Sequence, residues 1–91
     1  MFSNTEIIIG ELFPQPATGT RVFASVYATQ DVKGEVSVTD ESGQVRHSAV
    51  FELIKEGDVL ELDISGLPAG GYQVFIRILG QQWECKLQVL R

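Results

Sequence analysis

The chain has a single cysteine, Cys85, and a single histidine, His47, in 91 residues. One cysteine excludes an intrachain disulfide and a multi-cysteine zinc site, and it leaves the redox compartment open. A thiol dyad between the two needs an exposed sulfur in a thiolate-stabilising setting. The alternation of "WECKLQV" instead puts Cys85 on one face with Trp83 and Leu87, as a buried packing residue. His47 has no partner motif and reads as a surface or edge residue. Basic residues are also scarce: seven Lys and Arg against twelve Asp and Glu give a formal charge of −5. Arg21, Lys33, Arg46, Lys55, Arg77, Lys86 and Arg91 are scattered singly. No basic patch is available for a phosphate backbone or an anionic lipid surface, so nucleic acid is not an expected partner. No apolar run approaches the roughly 20 residues of a membrane span, and Ile7-Ile8-Ile9 is too short for a signal-peptide core. Membrane insertion is not expected. Read as a complete product, the chain is expected in the cytoplasm; read as part of a larger precursor, it carries no such expectation.

Hydrophobic residues make up 44% of the chain and are spread along its whole length, enough for one modest core. A single domain over 1–91 is expected, with 1–11 either a linker or a first strand. A helical i, i+3, i+4, i+7 spacing is missing, whereas period-two alternation recurs. It sets Val22, Ala24, Val26 and Ala28 on one face, as it does Val36 with Val38, and Leu60, Leu62 and Ile64. The strongest alternation sets Tyr72, Val74, Ile76 and Ile78 inward on one strand, and Trp83, Cys85, Leu87 and Val89 on the next. These two strands are expected at the sheet's centre. Further strands fall within Ile7 to Phe13 and Val45 to Leu53.

Turn-forming clusters separate these segments, including "PQPATG", "QDVKG", "DESG", "KEGD", "SGLPAGG" and "LGQQ". Within "TDESGQ", Asp40 is placed to accept a hydrogen bond from backbone two residues on. Gly43 supplies the positive φ of a type I turn followed by a bulge, which is a hairpin signal. In "SGLPAGGY", Leu67 folds onto the core edge, Pro68 fixes φ, and Gly70 or Gly71 takes an angle that a side chain resists. Tyr72 then offers its ring to the core and its hydroxyl to the rim. Short strands with turns at roughly 8 to 12-residue intervals describe an all-β fold, an Ig-like antiparallel β-sandwich of about seven strands with Greek-key links.

The order and spacing of "FPQPATG", "VTDESGQV", "LELDISGLPAGGYQVFI" and "KLQVLR" resemble the C-terminal sorting domain, type A, of the type IX secretion system of Bacteroidetes. The resemblance covers roughly residues 12–91. Pro14, Pro16 and Ala17 stand at the family's opening segment, where Gln15 replaces the usual Asn. Asp40 and Gly43 stand at its middle hairpin, Leu67, Pro68, Ala69, Gly70, Gly71 and Tyr72 at its signature turn, and Lys86 in its terminal strand. These twelve residues form the implied recognition set. The resemblance implies a non-catalytic domain without cofactor that directs a cargo through the outer membrane, in transit through the periplasm to the cell surface or medium. It implies as partners the outer-membrane translocon, cargo-collecting proteins and a sortase-like peptidase. Sheet edges in a small sandwich can pair or swap strands, which leaves both a monomer and a dimer open.

Other residues invite chemistry of a weaker kind. Glu61 and Asp63 share a solvent face about 7 Å apart by the strand repeat, as an acid/base pair or a calcium ligand set would, and equally as a charged face that keeps an edge soluble. Phe23, Tyr27 and Phe75 point away from the core face of their strands. A shared aromatic face would mark the alternative function, a stand-alone adhesion or carbohydrate-binding module. No nucleophile, base and orienting group can be assembled, so no enzymatic activity is expected.

Overall fold

The alternating segments become seven strands in the computed structural model, which describes residues 6–53 and 58–90. They are β1 (Ile7–Ile9), β2 (Arg21–Ala28), β3 (Val32–Asp40), β4 (Val45–Leu53), β5 (Asp58–Asp63), β6 (Gly70–Ile78) and β7 (Gln81–Val89). The turn expected at Lys55-Glu56-Gly57 lies outside the described residues, as does Arg91. Two antiparallel sheets form, ordered β1-β2-β5 and β4-β3-β6-β7. The chain crosses between sheets three times, from β2 to β3, from β4 to β5 and from β5 to β6. Because β2 pairs with β5 and β3 with β6, the two pairs interlock as a Greek key. The plan is that of an Ig-type sandwich in which the fourth strand joins β3 rather than the β1-β2-β5 sheet.

Inner faces of the two sheets meet as the alternation predicts. Val22, Ala24, Val26 and Ala28 of β2, Leu60 and Leu62 of β5 with Ile64 just after it, and Tyr72, Val74, Ile76 and Ile78 of β6 are all buried. Each fully buried Leu, Ile or Val contributes about 1.5–3 kcal/mol relative to exposure, which makes this layer the main stabilising element. No polar side chain is buried among the described residues, so the layer contains no desolvated group in need of a partner.

One expectation is corrected. The strands from "YQVFIRI" and "WECKLQV" do not form the centre together: β3 and β6 are central, and β7 is an edge strand. Leu87 and Val89 are buried, but Trp83 and Cys85 only partly so. The segment that covers the free edge of β7 first meets it at Lys86, which leaves the earlier half of the strand more open. Alternation fixes which face a residue takes and says nothing about which strand lies on either side.

Candidate functional site

Residues 10–17 run from one sheet to the other. Gly10 N donates to Ser25 O, and Phe13 exchanges two 2.8 Å backbone bonds with Phe23 on β2, their rings 5.7 Å apart. Four residues later the chain is on β7: Ala17 N donates to Gln88 O at 2.7 Å, and Leu90 N donates to Ala17 O at 2.8 Å. Between these anchors the peptide bonds Phe13–Pro14 and Gln15–Pro16 are cis. Neither proline has an N–H to offer a strand edge. The Gln15 side chain takes over that role, its Nε2 donating to Lys86 O while its Oε1 accepts from Gln88 N at 3.1 Å. A carboxamide has the donor and acceptor of a peptide group, and here it serves as one rung of a strand ladder. Pro14, Pro16 and Gln15 itself stay exposed while Ala17 is fully buried.

The β3–β4 hairpin is built as its residues predict. Gly43 N donates to Asp40 O, Asp40 N donates to Gln44 O, and Gly43 has φ +88°, which together make a type I turn with a bulge. Asp40 Oδ1 accepts from Ser42 Oγ at 2.6 Å and from the backbone N–H groups of Ser42 and Gln44 at 3.0 Å each. Ser42 Oγ–H and the Gln44 N–H, with Arg46 as a lesser influence, hold the Asp40 carboxyl below the usual carboxylate range.

The six-residue turn Leu67 to Tyr72 is a tyrosine corner. Tyr72, the third residue of β6, has its ring buried, and its hydroxyl donates to Pro68 O at 2.6 Å. Leu67 is buried beneath the turn and Gly70 has φ +153°, a conformation that disfavours a side chain. Only Pro68 and Ala69 present exposed side chains here. The six residues therefore join two sheets at a corner locked by a phenol, and the buried Leu67 and Tyr72 are structural.

The β3–β4 hairpin, β6, β7 and the strap formed by residues 10–17 border an open groove of about 780 Å³. It brings together five of the predicted residues, Asp40, Gly43, Gly71, Tyr72 and Lys86, and adds Gln15, Gln73 and Gln88. Leu67, Pro68, Ala69 and Gly70 do not line it, and Pro14, Pro16 and Ala17 flank it through Gln15. The groove therefore offers one cation, the carboxylates of Asp40 and Glu41 and the side-chain amides of Gln73 and Gln88, beside the apolar Phe75 and Leu87, a set suited to binding a polypeptide. Gln15 had no predicted role. Its signal was its position between two prolines, which makes it the one residue of that triplet able to pair by side chain as well as backbone.

Other candidates dissolve into structure. Glu61 Oε2 lies 2.7 Å from Arg21 Nη1, and Asp63 Oδ1 accepts from Ser65 N at 2.9 Å, so each carboxylate of the exposed pair has its own partner. His47 on β4 and Cys85 on β7 occupy opposite edges of one sheet, about 14 Å apart at three strand spacings, which precludes a dyad. Burial, with Glu11 as a lesser cause, pushes the Cys85 thiol up, so the thiolate is disfavoured. Phe23, Tyr27 and Phe75 do not share a face: the first two point out from the β1-β2-β5 sheet and Phe75 from the other. Strand parity shows that a residue points outward, but not from which sheet.

Neither a protein-family model nor a curated protein matches the sequence. Among solved structures, dimeric latent PorU from Porphyromonas gingivalis matches with a TM-score of 0.73 at 16% identity, covering 98% of this chain and 10% of that one. The likeness extends over the whole sandwich and shows the fold. The chain spans about a tenth of the length of the protein it matches.

Proposed function

We propose that this chain is a non-catalytic sorting domain that directs a cargo through the type IX secretion system and across the outer membrane. The observation that carries the reading is the likeness of nearly the entire chain to a segment of PorU, a type IX secretion system protein. The family-like motifs support it, since Asp40-Gly43, Gly71-Tyr72 and Lys86, distant in sequence, line one groove. In this reading the groove and the exposed tips Pro14, Pro16, Pro68 and Ala69 meet the translocon or its cargo-collecting proteins. A sortase-like peptidase acts upstream of residue 12, and the domain passes from periplasm to cell surface with its cargo. Rigid turns suit recognition because they lose little freedom on binding.

The test places a signal peptide and a fluorescent reporter before residues 1–91 in a type IX-competent bacterium and in a strain lacking the translocon. Export only in the competent strain supports the reading. Periplasmic retention in both strains defeats it.

A further inference from the structure

The two halves of β7 differ in what lies beside them. Along the later half the strap is the neighbour: Gln15 Nε2 donates to Lys86 O, its Oε1 accepts from Gln88 N, Ala17 N donates to Gln88 O, and Leu90 N donates to Ala17 O. Even-numbered residues of β7 therefore turn their N–H and C=O groups away from β6, and the register with β6 runs from Gln81 to Val89 without a shift. By that alternation Gln82 and Glu84 direct the same groups outward in the earlier half, where no described residue meets them.

The inward face of the strand records the difference. Leu87 and Val89, beneath the strap, are 1% and 0% exposed, whereas Trp83 and Cys85 on the same face are only partly buried although they pack against the core. A strand laid along residues 81–85 would cover them as the strap covers the other two. Charge narrows what such a strand is. Glu84 is exposed on the outer face, and Glu11 lies near enough to Cys85 to help push its thiol up. Neither carboxylate has an ion-pair or hydrogen-bond partner among the described residues. On the β4 edge, by contrast, Arg46 is paired with Asp40 and Glu52 with Lys33.

From these features we infer that residues 81–85 of β7 take up a short extended polypeptide segment carrying Lys or Arg, as a fifth strand of the β4-β3-β6-β7 sheet. The guest backbone bonds to Gln82 and Glu84, and its side chains alternate between the two faces. Those on the outer face beside Glu84 are basic; those on the inner face lie against Trp83 and Cys85 and are apolar. The strap sets the length. Gln15 already occupies the carbonyl of Lys86, so the guest spans about five residues, or about 16 Å. Uptake of such a segment is independent of the sorting role.

The probe is an acetylated, amidated Val-Lys-Val-Lys-Val peptide, titrated into the isotope-labelled 91-residue chain. Trp83, the chain's single tryptophan, should change its fluorescence, and hydrogen exchange at the Gln82 and Glu84 N–H groups should slow severalfold. The dissociation constant is expected on the order of 0.1–1 mM, as four backbone bonds and one or two exposed ion pairs imply. The Val-Glu-Val-Glu-Val peptide should bind about tenfold more weakly or worse, and the lysine peptide methylated on its backbone nitrogens should not bind. Glu84→Lys, with the circular dichroism of the parent, should reverse the preference between the two charged peptides. Unchanged exchange at Gln82 and Glu84 in about 10 mM lysine peptide overturns the inference. So does equal affinity for the two charged peptides, or undiminished binding of the methylated one. Protection at Ser48 and Val50 in place of Gln82 and Glu84 also overturns it, because the guest would then lie on the β4 edge.

Discussion

The Tyr72 hydroxyl donates to the carbonyl oxygen of Pro68, four residues earlier, at 2.6 Å. That bond ties the third residue of a central strand to the turn that delivers it, with the ring packed in the core. Tyr72→Phe keeps the ring and loses the bond, leaving the Pro68 carbonyl short of a partner, and is expected to cost about 1 kcal/mol. Tyr72→Ala also loses the packing, and about 3–5 kcal/mol is expected. Urea denaturation measures both: the Phe variant should shift the midpoint at unchanged slope. A Phe variant as stable as the parent would show the corner bond to be incidental.

Gln15 is expected to protect one particular amide. Its Oε1 accepts from Gln88 N, whereas the bonds of Ala17 to Gln88 O and Leu90 N are made by backbone. Gln15→Ala should therefore accelerate hydrogen exchange at the Gln88 N–H severalfold, as the loss of about 1 kcal/mol implies, and affect Leu90 much less. Equal acceleration at both positions would mean that the whole strap had detached.

Acid should weaken the domain partly through Asp40 and Asp63. Folding lowers the pKa of both, Asp40 chiefly through Ser42 and Asp63 chiefly through the Ser65 N–H. The folded state holds these protons less tightly than the unfolded chain. Their stabilising contribution is complete above the unfolded value of about 3.9 and is lost as pH falls through the folded values. Asp40→Asn keeps a side-chain oxygen for the turn but cannot titrate. Its melting temperature should fall less steeply than the parent's as pH drops below about 4. Parallel acid limbs in the two proteins would exclude Asp40 as a contributor.

Gly34 lies on the central strand β3 between its cross-strand partners Phe51 on β4 and Ile78 on β6, both too close to admit a side chain. A Cβ there would lie 2.5 Å from Phe51 Cζ and 2.8 Å from both the Arg77 carbonyl oxygen and Ile78 Cγ1. Phe51 can rotate; the neighbouring strand's backbone cannot move cheaply. Gly34→Ala is expected to destabilise by about 1–3 kcal/mol, whereas Gly66→Ala, whose Cβ meets nothing within 4 Å, stays within about 0.5 kcal/mol. Chemical denaturation of the pair checks this, and equal stabilities would rule out the steric account.

Much of this architecture is written in local pattern. Alternation over "RVFASVYA" and "YQVFIRI" gives the buried faces of β2 and β6, and Asp40 with Gly43 gives the hairpin, because both depend on neighbours in sequence. What pattern misses is lateral. The edge position of β7, the separation of Phe23 from Phe75, and the approach of Phe51 to Gly34 all depend on which strand lies beside or above another. Gln15 belongs to the same group, since its partners Lys86 and Gln88 are more than seventy residues away. The motif residues of the candidate site were readable as a set, but the groove that five of them share was not.

Lys86 separates recognition from folding. Its side chain is exposed on β7 and lines the groove, while its backbone carbonyl is held by Gln15 whatever side chain the residue carries. A charge reversal, Lys86→Glu, removes the cation from a groove that already holds Asp40 and Glu41, and should change stability by no more than about 0.5 kcal/mol. If the groove meets the export machinery, reporter export falls severalfold in this variant although its urea midpoint is that of the parent. Tyr72→Phe should do the converse, lowering the midpoint with little effect on export while the fold persists at growth temperature. Normal export of Lys86→Glu, combined with failure of a Pro68 and Ala69 double substitution, would move the recognition surface from the groove to the corner. That outcome is informative because Leu67 and Tyr72, the buried members of the corner, cannot make the contact themselves, so its exposed tip would have to.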